Sequence, residues 1–147
     1  MANPAIDIKL QLIENYKFEI DFGEFGQMVT DEHEPVGHGE GPGPSQLLAT
    51  AVANCLAASL MFAIRKFKGD PGQVWARVSG DPERVDGRWR ITNLAVELHL
   101  GQPAASIDKL ERVLEQFEDF CVVTQSVRSG IDVAVTVLDS DGQVLNT

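Results

Sequence analysis

Two cysteines are the residues of this chain best suited to chemistry, and they stand in unlike surroundings. Cys55 is embedded in an apolar run from Leu47 to Ile64, 18 residues with six alanines and no charge. Cys121 opens a more polar stretch that runs through Thr124, Gln125 and Ser126 to Arg128. Two thiols that meet can cycle between dithiol and disulfide, but sixty-six positions separate this pair, so the fold decides whether they do. Taken alone, Cys55 reads as a small core residue of an apolar helix. Asn54, and Ser59 at i+4, are its nearest polar groups. Cys121 falls at the predicted start of a short helix, where free backbone amides favour an anion. Arg128 is its nearest cation in sequence, and Phe117 and Phe120 precede it.

The segment Asp31 to Gly43 is the other place that invites a site. Its glycines suggest a phosphate cradle, yet Gly39-Glu40-Gly41-Pro42-Gly43-Pro44 matches neither a dinucleotide fingerprint nor a Gly-Lys-Ser/Thr loop. His33 and His38 stand there among Asp31, Glu34 and Glu40 at no metal-ligand spacing, so a solvated acidic loop is the expectation. His99 falls in a predicted strand. No metal and no cofactor are expected.

Length and charge bound the partners. A chain of 147 residues with 44% apolar and 23% charged residues suits one domain, taken as residues 1–147, with a true core. The net charge is −10, and residues 1–40 carry nine acidic side chains against two basic ones. That field repels phosphate backbones and anionic lipid, so neither nucleic acid nor membrane is an expected partner. Leu47–Ile64 is long enough to raise the membrane question, but its small and polar residues point to a core helix instead. The first residues, from Met1 to Asp7, have neither the basic nor the apolar region of a secretory leader, which gives the expectation of a cytoplasmic protein with reduced thiols.

The elements that must position the cysteines follow from periodicity. Alternation over 6–13 and 16–22 predicts a hairpin turning at Glu14-Asn15, with a third short strand at 27–30. Pro44-Ser45-Gln46 opens a long helix expected to reach Lys68. Strands are expected over 74–80 and 89–100, with Asp86-Gly87 as a turn signal between them. Ser106 or Asp108 is placed as the cap of a second helix whose buried face is Ile107, Leu110, Val113, Leu114 and Phe117. A third helix follows Cys121 and ends at Gly130. Ile131–Leu138 reads as an apolar strand, with a turn at Asp141-Gly142 and Val144-Leu145 pairing back. The order predicts an α+β domain.

Two stretches resemble a known family. Gly41-Pro42-Gly43-Pro44-Ser45-Gln46-Leu47-Leu48-Ala49-Thr50-Ala51-Val52-Ala53-Asn54-Cys55 is similar to the Gly-Pro-x-Pro-x-x-Leu-Leu-x-Ala-x-Ala-x-Cys helix opening of OsmC/Ohr proteins. Cys121 to Gly130 resembles their second signature, Cys-Pro-Val-Ser-x-x-Leu-x-x-Gly. The resemblance implies an OsmC-like fold: antiparallel sheet strands wrapped around a long central apolar helix, in an intertwined homodimer. It further implies thiol-dependent reduction of organic hydroperoxides or hydrogen peroxide, part of oxidative-stress defence. By that similarity Cys55 is the peroxidatic thiol and Cys121 the resolving one, and an external dithiol such as a dihydrolipoyl group restores both.

The chain departs from the family where the thiol is activated. The peroxidases carry a glutamate after the helix-opening proline, and it holds an arginine from an early loop. Here Ser45 follows Pro44, and no arginine precedes Arg65. The proline after the second cysteine is replaced by Val122. Arg128, His33 and His38 are then the candidates for a substitute cation. Beside the peroxidase stand two other readings on the same scaffold: a protein that binds a small apolar ligand, and a thiol sensor whose slow disulfide alters a surface.

Overall fold

The computed structural model describes residues 4–146. Part of the Met1–Asp7 segment, residues 1–3, therefore lies outside the described residues. Lys9–Glu14 (β1) and Lys17–Asp21 (β2) form the expected antiparallel hairpin, and Gln27–Thr30 (β3) adds to the free edge of β2. Asn15 turns the hairpin at φ 48°, a left-handed conformation that asparagine adopts more readily than most residues.

The long helix α1 spans Pro44–Lys66. Pro44 sits in the first turn, where its missing N–H is no loss, and Gln46 Oε1 reaches back to accept the Gly43 N–H at 2.6 Å. The helix stops two residues short of the expected Lys68. Lys68 itself takes the left-handed conformation (φ 64°). Its N–H bonds Arg65 O at 2.9 Å and the Gly69 N–H bonds Ile64 O at 3.0 Å, so the last carbonyls are satisfied by a reversing chain. By length and apolarity α1 would suffice to cross a membrane. The fold uses it as the core helix, with Val52, Leu56, Leu60, Ala63 and Ile64 all buried.

Trp75–Ser79 (β4) pairs antiparallel with Ala95–His99 (β7). The single strand expected over 89–100 is broken. Glu83–Val85 (β5) and Arg88–Arg90 (β6) make a tight hairpin about Asp86-Gly87, both at positive φ. Between β6 and β7 the side chains of Thr92 and Asn93 bond Glu83 Oε1 at 2.7 and 3.2 Å. Such local side-chain bonds compete with a ladder.

The second helix begins later than its candidate caps. Ala104–Ser106 is a 3-10 turn, Lys109 has φ 56°, and α2 runs only from Leu110 to Gln116. Ile107, Val113 and Phe117 are buried as expected, but Leu114 is 51% exposed and does not belong to the inner face. A 3-10 turn, Phe117–Phe120, then leads into α3, Val122–Ser129, which ends at Gly130. The inner faces of α1, α2 and α3 meet in one cluster, with Leu94, Val96 and Leu98 partly buried against it.

The expected strand over 131–138 does not form. Among the described residues, its ladder contact is a single bridge between Leu138 and Val144. Ile131, Val133, Val135 and Val137 stand 48–78% exposed. Extended backbone becomes a strand only when a second edge takes its N–H and C=O groups in succession; here only the end is held, by Leu145 N–H on Val137 O at 2.8 Å and by the Asn146 side chain on Val137 N–H and Val135 O.

Candidate functional site: a dithiol between two helices

α1 and α3 bring the two cysteines together. Cys55 lies mid-helix on α1, half-buried, one turn before Ser59 on the same side of the helix. Cys121 is the N-cap of α3 and is fully buried. Its position is set by the turn before it: the Cys121 N–H closes the turn on Glu118 O at 3.1 Å, while Phe117 anchors the segment in the core. Its carbonyl starts the helix by accepting the Gln125 N–H at 3.0 Å.

The sulfur of Cys121 faces a ring of small polar groups. Its thiol donates to Thr124 Oγ1 at 3.0 Å, and Thr124 is buried. The Cys55 thiol, the Thr124 amide and the buried Ser59 hydroxyl also stand close enough to act on its charge. Burial pushes the Cys121 thiol up. The contacts to Cys55, to the Thr124 hydroxyl and amide, and to Ser59 outweigh that, and the net effect holds it below the ordinary cysteine range. No disulfide joins Cys55 and Cys121 in this structure.

The candidate cations stand elsewhere. Arg128 Nη2 bonds Glu118 Oε1 at 2.6 Å, with both side chains about half exposed. The Gln46 amide donates to His33 Nε2 and the Asn15 amide to His38 Nε2, each at 3.2 Å. Gln46 and Ser45 lie in the first turn of α1, roughly 14 Å along the helix from Cys55 at the usual rise per residue. Asn54 is exposed, on another face from the cluster.

Thr124 is the participant that sequence reasoning missed. Its signal was a hydroxyl three residues after a helix-capping cysteine, the spacing at which an N-cap side chain meets the third helical residue. Thr124 also lines a cleft of about 530 Å³ with Leu48, Val52, Leu56, Phe117 and Arg128. Neither cysteine lines that cleft; Thr124, which bonds the Cys121 sulfur, does.

Comparison with known proteins places this geometry. The sequence profile of OsmC-like proteins matches residues 37–136, a stretch that includes both cysteines. A Psychrobacter arcticus protein assigned to osmotic stress induction and the detoxification response superimposes with a TM-score of 0.71 at 19% identity, covering 85% of this chain and 90% of its own. An organic hydroperoxide resistance protein from Legionella pneumophila gives a TM-score of 0.67 at 15% identity, covering 90% and 95%. An OsmC-like protein from Mycoplasma pneumoniae gives 0.68 at 16%, covering 86% and 89%. No curated protein sequence matches at a significant level. These likenesses carry the fold, and the profile, which spans more than half of the sequence, carries the family: the chain belongs to the OsmC-like proteins.

Proposed function

We propose that this protein is a thiol-dependent hydroperoxide reductase working through Cys55 and Cys121. The observation that carries the reading is the meeting of the two sulfurs between α1 and α3. Cys55 is the partly exposed member and the one a peroxide meets first. Its sulfur attacks the O–O bond and becomes a sulfenic acid, and the alcohol leaves. Cys121 then displaces water to form the disulfide, and an external dithiol, a dihydrolipoyl group among the candidates, returns both to thiols.

The working unit is a homodimer. Leu10, Leu12, Val133 and Val135 are each more than half exposed on extended segments, and a second copy would cover them as in the wrapped dimer the resemblance implies. Sedimentation at micromolar concentration should give twice the chain mass.

The test is a timed reaction of the reduced protein with cumene hydroperoxide, followed by intact-mass and peptide mass spectrometry. Rapid loss of two hydrogens, mapped to a Cys55–Cys121 link, is the expected result. Two thiols that outlast excess peroxide overturn the reading. The cleft would then favour the alternative, a binder of small apolar molecules, which titration with a fluorescent fatty acid would detect. Stoichiometric oxidation without turnover would instead mark a thiol sensor.

A further inference from the structure

A thiol needs its negative charge stabilised before it can act near neutral pH. Around Cys121, the C-terminal turn of α1 carries Arg65 and Lys66, and α2 carries Glu111, Arg112 and Glu115. The 3-10 turn adds Glu118 and Asp119, and α3 adds Arg128. Arg65 and Arg112 are exposed, Arg128 is held by Glu118, and Lys66 lies over the Phe120 ring at 5.8 Å. No cation from these elements is left to the sulfur. What converges there is neutral: two hydroxyls, one amide and one thiol. Thr124 and Ser59 are 5% and 8% exposed within an otherwise apolar cluster. A hydroxyl buried that deeply is costly unless bonded; Thr124 meets the Cys121 sulfur directly at 3.0 Å, and Ser59 stands close enough to act on its charge. Each can also reverse its role. The Thr124 oxygen accepts from the Cys121 thiol, and once that proton is gone the hydroxyl turns and donates to the sulfur. The amides of the first turn of the eight-residue α3 favour charge at the same point.

Accessibility divides the pair the other way. Cys121 is sealed and Cys55 is not. The better place for the charge is therefore not the better place to meet a substrate.

Building on the thiol-peroxidase reading, we propose that Cys121 carries the resting thiolate and acts as the base for Cys55, with Thr124 and Ser59 as positioning residues that hold that charge where relatives use an arginine. The Cys55 thiol passes its proton to the Cys121 sulfur as its own sulfur takes the distal oxygen of the hydroperoxide. The O–O bond breaks, Cys55 becomes a sulfenic acid, and the alkoxide takes the proton from Cys121 and leaves as alcohol. The Cys121 thiolate so restored attacks the Cys55 sulfur. The disulfide forms, and hydroxide departs and is protonated by solvent. One peroxide is reduced, and two thiol sulfurs are oxidised to one disulfide.

The test is the thiolate absorbance at 240 nm of the reduced full-length protein as a function of pH, a measurement that needs no reagent to reach the sealed sulfur. The expected thiolate persists in Cys55→Ser and disappears in Cys121→Ser. Thr124→Val leaves about tenfold less thiolate at a fixed pH below the midpoint, the size of one hydrogen bond to a charged group. Peroxide oxidation of Cys55 slows by the same factor, and Thr124→Ser restores both. Ser59→Ala, which removes only a hydroxyl, gives the same direction should Thr124→Val fail to fold. A thiolate that vanishes with Cys55 instead, or one that ignores both hydroxyl variants, overturns the placement of the charge whatever the peroxide does. A titration that follows Cys121 while both thiols outlast peroxide overturns the peroxidase reading and leaves the placement standing.

Discussion

The loop before α1 and the turn before α3 each gather polar groups about one acidic side chain, and they do so with different donors. Before α1, the Asp31 carboxylate is buried and accepts the backbone N–H groups of Glu32, His38 and Glu40 at 2.8 to 3.2 Å. Lys17 ties the same loop to β2 through Glu40 at 2.9 Å. Before α3, the Cys121 sulfur is met by hydroxyls and a second thiol. Backbone amides cannot turn away, so the Asp31 arrangement is fixed and holds residues 32–40 about one carboxylate. Hydroxyls and thiols rotate and exchange protons, so the arrangement at Cys121 can pass between charge states without moving the chain. The acidic loop holds two histidines and four carboxylates, yet the bonds of its buried carboxylate go to the backbone of the loop itself.

The contrast should show most severely when either sulfur is removed. Cys55→Ser and Cys121→Ser should each abolish catalytic peroxide consumption, a loss on the order of a hundredfold or more, because groups that act as a unit fail together. Coupled turnover with a dithiol donor checks this. Cys55→Ser retaining turnover would place the peroxide elsewhere.

In the loop before α1 the corresponding lesion is Gly37→Ala. A Cβ there would run into the Glu32 carbonyl oxygen and the Asp31 carboxylate. Overpacking of this kind costs about 1–3 kcal/mol. Chemical denaturation should show that loss, while the 240 nm titration of the thiols stays where it was. A shift of the thiol titration in this variant would mean that the Asp31 and Cys121 clusters are coupled through α1.

Acid acts on the same loop more gently. Amide bonds from Glu40, the largest contribution, and from Glu32 and His38 outweigh burial and hold Asp31 below the ordinary carboxylate range. A depressed acid stabilises the fold above its unfolded pKa and gives that up as pH falls through its folded value. Hydrogen exchange at Glu32, His38 and Glu40 should accelerate below about pH 4, and Asp31→Asn should show the fast exchange at neutral pH.

The fold was far more legible than the site. Alternation found β1 and β2, although every residue of β1 stands exposed in the chain, and the apolar run found α1 nearly to its ends, because that run reports the burial of the core helix. The segment 131–138 shows the limit. Its alternating valines signal an extended chain meant to be covered, but pairing belongs to whatever lies opposite, and among the described residues only the short return at 144–146 reaches its end. The break at 91–94 was hidden for a related reason, since Thr92 and Asn93 leave the ladder for Glu83, a partner ten residues or fewer away that propensity does not weigh. At the site, residue type found both cysteines and i+4 spacing found Ser59. Thr124 was overlooked because charge was the feature sought near a thiol, and the residues that meet this one are neutral.

Arg128 gives the smallest and most discriminating prediction. It is the one candidate cation carried on the same helix as Cys121, and it lines the same cleft as Thr124. If its charge activated the sulfur, Arg128→Ala would diminish the thiolate as Thr124→Val does. Its guanidinium is instead paired with Glu118, with side-chain exposures of 54% and 45%, and a pair so wetted contributes about 0.5 kcal/mol or less to stability. Arg128→Ala should therefore lower the thermal midpoint barely or not at all and leave the 240 nm titration unchanged. Glu118→Gln goes one step further by freeing the arginine to swing. A thiolate gained in that variant, and lost again in Glu118→Gln/Arg128→Ala, would show that the salt bridge withholds a cation from the dithiol, whereas no gain would leave hydroxyls as the means by which this site holds its charge.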